Sequence, residues 1–393
     1  MASELPQPST DAAAASHALT QIIVAEIRAA GGWMSFARYM ELALYAPGLG
    51  YYSGGSQKFG QSGDFMTAPE LTPLFGQALA RQVAQVLAQV SADDKTVIEV
   101  GGGSGRLAAD MLLALDGLGC LPKHYFILEL SGELRARQLA TLQKFAPALA
   151  ARVEWLDDLP PAFSGCLIAN EVLDAMPTHA VRWQPDGAYE RGVAVVDGRL
   201  AWAELDKDRL RIVEAENWSL SPIDLPYDGE ISLAASAWVA TLARRLNTGA
   251  LLLIDYGLPQ RELYHPSRNG GTIRCHYRHR VHNDPFWYPG LSDITSHVNF
   301  TAVAEAGFDA GLEVLGYANQ ASFLINCGIA ELLQARKEKS PVGADSTPLR
   351  ATGAVNLLIS PNEMGELFKV IALGRAIKKP LMGFTLGDRT HAL

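Results

Sequence analysis

The feature that most constrains the fold is a glycine-dense turn between an apolar run and an amphipathic segment. The apolar run, Thr96–Val100, leads directly into Gly101-Gly102-Gly103-Ser104-Gly105, and Leu107–Leu115 then carries apolar residues at helical spacing. A turn that bends a strand straight into a helix needs residues that tolerate a positive φ. The stretch therefore predicts a buried strand, a tight turn and a helix, which together form the first unit of a doubly wound α/β sheet.

Two patterns of cofactor-binding glycines compete over this turn. The dinucleotide fingerprint G-x-G-x-x-G/A fits Gly103, Gly105 and Ala108, but it leaves two glycines before it unexplained. The pattern E/D-x-G-x-G-x-G is met by Glu99, Gly101, Gly103 and Gly105. This second pattern resembles the first motif of the class I methyltransferases that bind S-adenosylmethionine (SAM). In that family the glycine backbone passes under the methionine part, and the acid helps to hold its cationic end. We favour SAM over a dinucleotide and over a surface turn without a ligand.

Acids follow the next two predicted strands as well. The β run from Tyr125 ends at Glu129-Leu130, where a nucleotide-binding fold places the acid that accepts both ribose hydroxyls. Both cofactor hypotheses predict this acid, and a charge at a helix entry is the alternative. The third strand, Val153–Leu156, is followed by Asp157-Asp158. We assign Asp157 to the adenine amino group, with a solvated loop charge as the alternative.

The fourth predicted strand ends in polar residues that suit group transfer. An apolar run from Cys166 to Ala169 leads into Asn170 and Glu171, and Asp174 and His179 follow within one short loop. Ligands of open α/β sheets bind at the carboxyl ends of strands. A carboxylate cluster there can orient a nitrogen nucleophile and take its proton. We therefore predict these four polar residues as catalytic, with Asn170 also beside the cofactor; helix capping by Asn170 and Asp174 is the alternative.

The order of the patterns predicts the domain organisation. We expect a disordered tail (1–15), a helical segment with a cofactor-covering loop (16–92), a class I methyltransferase core (93–375) and a C-terminal tail (376–393). The core carries two insertions, one of short antiparallel strands (180–230) and one long polar loop (258–293). The covering loop is rich in glycine and aromatic residues, and we assign four of its residues to the cofactor: Asp64, Phe65, Thr67 and Pro69. A structural loop that packs on the core is an equal alternative.

Charge and composition exclude several classes of function. The net charge of −9 argues against a general nucleic-acid binder. Four scattered cysteines without a C-x-x-C pair indicate neither a disulfide framework nor a cysteine-based zinc site. Cys275, His276, His279 and His282 stand close together, but three arginines among them would oppose a cation, so we expect no metal. We favour a substrate-facing or closing loop, and its basic residues could also engage an acidic region of a partner. No secretory signal and no membrane span are expected.

Several segments together resemble one family, the MidA-like group that includes the mitochondrial complex I assembly factor, a protein arginine methyltransferase. The resemblance runs from about Tyr45 to Gly374. It is carried by Gly63-Asp64-Phe65-Met66-Thr67-Ala68-Pro69-Glu70, Glu99-Val-Gly-Gly-Gly-Ser-Gly, Asn170-Glu171-Val-Leu-Asp174-Ala-Met-Pro177-Thr-His179 and Asp255-Tyr256-Gly257, and it is extended by Asp293–Phe300 and Met364-Gly365-Glu366. Where this chain has Gly102, relatives often have proline. This difference is minor and should leave SAM binding intact.

The resemblance implies a class I fold with a helical N-terminal segment that closes over SAM, and a protein substrate. The mitochondrial member is described as making symmetric dimethylarginine on a respiratory-complex subunit, so arginine and such a subunit are the implied target and partner. A protein of the bacterial cytoplasm, or of the mitochondrial matrix if the chain is eukaryotic, would fit this resemblance. The alternatives are an NAD(P)-dependent oxidoreductase and a non-catalytic assembly factor that binds SAM.

Overall fold

The computed structural model describes residues 5–54, 67–204, 225–339 and 347–393. The helices in chain order are α1 Thr10–Ala29, α2 Phe36–Tyr45, α3 Ala68–Leu71, α4 Pro73–Leu87, α5 Arg106–Gly117, α6 Gly132–Phe145, α7 Leu233–Arg245, α8 Gln260–Leu263, α9 Phe300–Asp309, α10 Gln320–Asn326, α11 Ile329–Lys339, α12 Thr347–Ile359 and α13 Met364–Leu367. The strands are β1 Met34–Ser35, β2 Lys95–Val100, β3 His124–Leu128, β4 Val153–Leu156, β5 Phe163–Asn170, β6 His179–Gln184, β7 Gly187–Val196, β8 Arg199–Glu204, β9 Tyr227–Ile231, β10 Leu246–Leu258, β11 Arg274–Tyr277, β12 Arg280–His282, β13 Asp293–Thr295, β14 Val298–Asn299, β15 Glu313–Asn319 and β16 Phe368–Arg375.

The main sheet has the order β15-β16-β10-β5-β2-β3-β4, and β14 adds to the end of β10. Five strands of this sheet run parallel to one another, namely β4, β3, β2, β5 and β10. β16 lies between β10 and β15 and is antiparallel to both. Numbered along the chain, the core strands therefore follow the order 3-2-1-4-5-7-6 with the seventh reversed. The predicted doubly wound α/β fold is confirmed. The order reverses between β2 and β5, so the glycine turn and the polar end of β5 lie side by side.

The core strands consist of nearly continuous runs of apolar residues, so both of their faces are buried. Neighbouring residues alternate between two apolar clusters, one on each side of the sheet. Val97 and Ile168 belong to the cluster covered by α4 and α5, and Ile98 and Leu167 belong to the cluster covered by α7 and α9. This alternation leaves only the ends of the strands free for polar chemistry.

The N-terminal helix begins earlier than the predicted tail allows. α1 begins at Thr10, and the Ser9 hydroxyl accepts a hydrogen bond from the Ala12 N–H at 3.3 Å, which caps the helix. Residues 10–15 are therefore helical. Leu19, Ile23 and Ile27 form the buried stripe of α1 and join a third apolar cluster with α2.

The two insertions build two small sheets beside the main one. β6 pairs antiparallel with β7 and β9, β7 pairs with β8 and β1, and this is the β insertion expected within 180–230. The second insertion was predicted as a long loop, but it contains α8 and the sheet β12-β11-β13. Cys275 on β11 is fully buried in the third apolar cluster. In the described part of the chain no three His, Cys, Asp or Glu side chains are grouped to hold a metal ion.

The C-terminal region differs from its prediction in two ways. The sequence pattern of 364–374 predicts one last strand, but Met364–Leu367 forms α13 and the strand begins at Phe368. Residues 376–393 pack on the core: Phe384 is buried, and an Asp388 carboxylate oxygen accepts a hydrogen bond from the Tyr317 N–H at 3.1 Å. None of the helices described is both long and apolar enough to cross a membrane.

Candidate active site

A cavity of about 680 Å³ opens at the carboxyl ends of β2, β3, β5 and β10, under residues of the N-terminal segment. This volume lies within the roughly 300–1,000 Å³ of small-molecule pockets. Most of the predicted site residues line it: Thr67, Pro69, Glu99, Gly101, Gly103, Glu129, Leu130, Asn170, Glu171 and Asp174. Asp64 and Phe65 lie outside the described residues.

The glycine turn forms the floor of the cavity. Gly101 has a φ of +66°, and a Cβ there would lie 3.1 Å from the Val172 Cγ2, so this position needs glycine for both its backbone angle and its neighbour. Gly105 is a correction, because it does not line the cavity. Its φ is +83°, and a Cβ would lie 2.8 Å from the Gln138 Cα. Gly105 therefore lets α5 begin close against α6, and its contact with the cofactor stays a prediction.

Glu99 stands at the end of β2 beside the turn and is almost fully buried. Its carboxylate accepts a hydrogen bond from the Tyr125 hydroxyl at 2.7 Å. Burial raises the pKa of Glu99 to about 7, and the hydrogen bond from Tyr125 opposes that rise. A cation bound in the cavity would favour the ionised form of this carboxyl group.

Gln138 on α6 connects the glycine turn to Glu129, and sequence reasoning missed it. Its side-chain N–H groups donate to the Gly103 carbonyl at 3.2 Å and to Glu129 at 3.1 Å, and its oxygen accepts from the Trp155 indole at 2.7 Å. The signal was present in the sequence, because Gln138 lies midway between Leu134 and Leu142 on the buried stripe of α6. A buried polar residue on an apolar stripe needs partners.

Glu129 follows β3, and one of its carboxylate oxygens accepts a hydrogen bond from the Ser131 N–H at 2.9 Å. Its pKa is raised, mainly by burial. Leu130 next to it is 78 % exposed and lines the cavity, so an aromatic ring could cover it. Asp157 is a second correction. Its side chain is 89 % exposed, pairs with Arg135 at 2.7 Å and does not line the cavity.

The loop after β5 is held in an unusual backbone conformation. Glu171 has a φ of +55°, in the left-handed region that is uncommon outside glycine, and its N–H donates to the Ile254 carbonyl at 2.9 Å. The Asn170 amide donates to the Glu171 carboxylate at 3.0 Å. Burial, together with the charge of Asp174, raises the pKa of Glu171 to about 8. The carboxyl group therefore titrates near neutral pH, as a general base requires.

Asp255, at the carboxyl end of β10, fixes this loop. One of its carboxylate oxygens accepts hydrogen bonds from three consecutive N–H groups, those of Val172, Leu173 and Asp174, at 3.1, 2.9 and 3.2 Å. The other oxygen accepts from the Tyr256 N–H at 2.9 Å. The side chain is fully buried. Asp255 therefore positions the loop and does not face a substrate.

Two acceptor atoms in this loop have no partner of their own. Asn170 Oδ1 and Asp174 Oδ1 are buried, and neither accepts a hydrogen bond from any described residue. The other Asp174 oxygen accepts from the Tyr256 hydroxyl. Asp174 is only 5 % exposed, and burial raises its pKa to about 6. Buried acceptors are normally satisfied, so this end of the cavity is suited to a ligand rich in N–H donors.

Tyrosines from the N-terminal segment complete the acceptor end. The rings of Tyr45 and Tyr52 stack with centroids 5.5 Å apart, and both line the cavity. Tyr45 donates to the Ala175 carbonyl at 2.9 Å, and the Tyr52 hydroxyl contacts both Asp293 oxygens at 2.9 and 3.0 Å. Sequence reasoning placed this aromatic segment over the pocket but assigned no residue of it before Asp64.

His179 is the third correction. It begins β6, its Nδ1 contacts the Glu190 carboxylate, and it does not line the cavity. The pairing joins two strands of the β insertion and gives His179 no contact with the site. The four residues predicted as catalytic thus reduce to three that the structure brings together: Asn170, Glu171 and Asp174.

The fold and this site define a SAM-dependent methyltransferase. A family model described as "Putative S-adenosyl-L-methionine-dependent methyltransferase" matches residues 78–318, and the chain belongs to that family. The glycine turn, Glu99, Glu129 and the exposed Leu130 all line the one cavity at the carboxyl ends of the strands. The dinucleotide fingerprint at Gly103, Gly105 and Ala108, and the oxidoreductase it implied, are not supported.

Solved structures agree with this assignment. The crystal structure of a superfamily member from Burkholderia thailandensis bound to S-adenosyl-homocysteine is 51 % identical, with a TM-score of 0.93, and covers 99 % of this chain and 100 % of that one. A native structure from the same organism is 50 % identical, with a TM-score of 0.90 and the same coverage.

Animal relatives match over most of their length. "Protein arginine methyltransferase NDUFAF7, mitochondrial" from Mus musculus is 28 % identical over 379 residues, which is 87 % of this chain and 81 % of the relative. The Homo sapiens protein of the same name is 28 % identical over 87 % of this chain and 80 % of its own.

Proposed function

We propose that this chain transfers the methyl group of SAM to a guanidinium nitrogen of an arginine side chain in a protein. The observation that carries the proposal is the acceptor end of the cavity. It combines two unpartnered buried acceptors, Asn170 Oδ1 and Asp174 Oδ1, with the Glu171 carboxylate. A guanidinium group has five N–H donors in a fixed plane and no acceptor, so it complements such a set.

The aromatic wall supports the same acceptor. Tyr45 and Tyr52 stack beside the carboxylates, and guanidinium groups bind both to aromatic faces and to carboxylates. The names of the animal relatives, protein arginine methyltransferases, add support from outside the site. A neutral alcohol has a single O–H donor and would leave one of the two acceptors, Asn170 or Asp174, unsatisfied. A carboxylate substrate has no donor and would be repelled by Asp174.

Bound SAM supplies a methyl group on a positively charged sulfur. In the proposed mechanism Asn170 and Asp174 hold the guanidinium plane, and Asp255 keeps their loop in place through the three N–H groups. As the guanidinium nitrogen forms its bond to the methyl carbon, the C–S electron pair goes to sulfur and S-adenosylhomocysteine is left. A charged guanidinium is a poor nucleophile, so an N–H proton must leave, and the Glu171 carboxylate takes it.

The test is methyl transfer with a defined acceptor. The purified chain is incubated with methyl-labelled SAM and the proteins of a strain that lacks it, and the labelled products are hydrolysed to amino acids. We expect the label in methylarginine. Label in methyllysine or in another residue would reject arginine as the acceptor. SAM binding without any transfer would favour the non-catalytic assembly factor.

The compartment and partner follow from the proposed substrate. We propose a respiratory-complex subunit as the substrate, as in the family that the sequence resembles, and the bacterial cytoplasm as the compartment. The animal relatives are named mitochondrial, so a eukaryotic chain of this kind would act in the matrix.

A further inference from the structure

We infer that the β11–β12 hairpin, through the face that carries Arg274, His276 and Val281, docks an acidic segment of the substrate and leads its target arginine into the cavity. The inference rests on the proposed function for the arginine, but the docking surface can be tested by itself. The surface is defined here as the docking face and comprises Arg274, His276 and Val281, next to Asp293.

The register of the small sheet places these side chains in one row. Asp293 on β13 lies opposite His276 on β11, and His276 lies opposite Val281 on β12. Residues directly opposite one another in an antiparallel pair project from the same face. Arg274, two residues before His276, shares this face and lies opposite Thr295.

This row begins at the acceptor end of the cavity. Asp293 lines the cavity and contacts the Tyr52 hydroxyl, and it is almost fully buried. Val281, at the other end of the row, is 60 % exposed. Strands lie about 4.8 Å apart, so the row runs about 10 Å outward from the cavity wall. An extended peptide covers that distance in about three residues.

The charge of this segment contrasts with that of the whole chain. Arg274–His282 contains three arginines, three histidines and no acid, in a chain with a net charge of −9. Arg274, Arg278 and Arg280 are all exposed. The tip between β11 and β12 is a tight turn, because Arg278 and His279 take left-handed φ values of +46° and +60°, as in two-residue hairpins.

Among the residues that the structure describes, Arg274 donates few of its N–H groups, so most remain for a partner. Its Nη1 donates to the Ile273 carbonyl at 2.7 Å, which uses one of five N–H groups. Glu230 is near enough to interact with its charge. The Glu230 carboxylate, however, accepts the Thr272 N–H at 2.9 Å and the Thr272 hydroxyl at 3.2 Å. A carboxylate of a substrate can therefore pair with Arg274 while the peptide covers Val281.

The experiment uses three synthetic peptides with one central arginine, flanked three and four residues away by glutamate, serine or lysine. KM is measured for methylation, and Kd is measured separately by fluorescence anisotropy in the presence of S-adenosylhomocysteine. For the unmodified chain we expect the glutamate peptide to have a KM and a Kd about 10-fold lower than those of the lysine peptide. Arg274→Glu should reverse this preference, and Val281→Glu should weaken binding of the glutamate peptide.

The matched control is Arg152→Glu. Arg152 is an exposed arginine directly before β4, at the amino ends of the parallel strands, whereas the cavity opens at their carboxyl ends, so its change should leave the preference intact. Each variant must bind S-adenosylhomocysteine as the parent does, which shows that it is folded. Equal Kd values for the three peptides, or an unchanged preference in Arg274→Glu, would overturn the docking face. Binding with the expected preference but no methylation would instead reject arginine methylation.

Discussion

The two ends of the cavity are built in different ways. The cofactor end comes from short, contiguous pieces: the turn after β2, the acid after β3 and the helix α6 behind them. The acceptor end is assembled from distant segments, with Tyr52 from the N-terminal part contacting Asp293 across 241 positions of sequence. The cofactor end is thus a local motif, whereas the acceptor end depends on how the second insertion and the N-terminal segment pack. Variants at the two ends should therefore change different measurements.

The largest effect that we expect is at the acceptor end. Glu171→Gln keeps the size of the side chain but cannot take the proton, so kcat should fall by about 100-fold or more. Because Glu171 lies at the acceptor end, the Kd for S-adenosylhomocysteine should stay within about twofold, as measured by isothermal titration calorimetry. Glu154→Gln on β4 is the matched control and should change neither quantity.

Loss of cofactor affinity in Glu171→Gln would break the separation of the two ends, because Glu171 would then belong to both. Unchanged turnover would remove its role as the base and leave Asp174, the other cavity-lining carboxylate of the loop after β5, as the proton acceptor.

The next largest effect should come from the cofactor end and act through stability. Gly105→Ala would force a Cβ within 2.8 Å of the Gln138 Cα at a φ of +83°. We expect a loss of about 2–4 kcal/mol in the free energy of unfolding, measured in urea, and weaker binding of S-adenosylhomocysteine. Gly117→Ala is the control on the same helix. Nothing lies within 4 Å of its Cβ position, so its free energy of unfolding should stay the same or rise slightly. Equal stability of the two variants would contradict the packing role of Gly105.

This difference between the ends also explains how far the sequence could be read. The strand–turn–helix unit and the places of Glu129 and the polar end of β5 at the cavity were predicted correctly, because each is encoded within a few neighbouring residues. Gly105 was assigned to the cofactor by motif, but its contact is with Gln138 on another helix. A motif fixes spacing and does not show which glycine faces the ligand and which faces the protein.

The acceptor end was predicted only in its loop. Asp255 was noted as part of the family resemblance but was given no role, because its hydrogen bonds to three N–H groups of another loop depend on the register of β10 against β5. Asp293 reaches the cavity because the second insertion forms a sheet where a loop was predicted. His179 lies near Asp174 in sequence, but it begins a strand that leads away and pairs it with Glu190. Such contacts between distant segments have no local sequence signal.

A smaller effect should appear in the pH dependence of cofactor binding. Burial raises the pKa of Glu99 to about 7, so its carboxyl group is mostly protonated at pH 6 and mostly ionised at pH 8. Only the ionised form attracts the cationic end of the cofactor. The Kd for S-adenosylhomocysteine should therefore fall by up to about 10-fold from pH 6 to pH 8. Glu99→Gln removes this component, and its Kd should vary less over the same range. The same pH dependence in both proteins would place the titrating group elsewhere.

The smallest effect concerns the contact that joins the N-terminal segment to the second insertion. Tyr52→Phe removes the hydroxyl that contacts both Asp293 oxygens and should raise KM for the protein substrate about 3- to 5-fold, with an unchanged Kd for S-adenosylhomocysteine. Asp293→Asn should have a similar effect. If the contact holds the acceptor end together, the double variant should be little worse than either single one, with a coupling of about 1 kcal/mol in kcat/KM. Additive effects would show that Tyr52 and Asp293 act separately, and the acceptor end would then depend on fewer long-range contacts than the structure indicates.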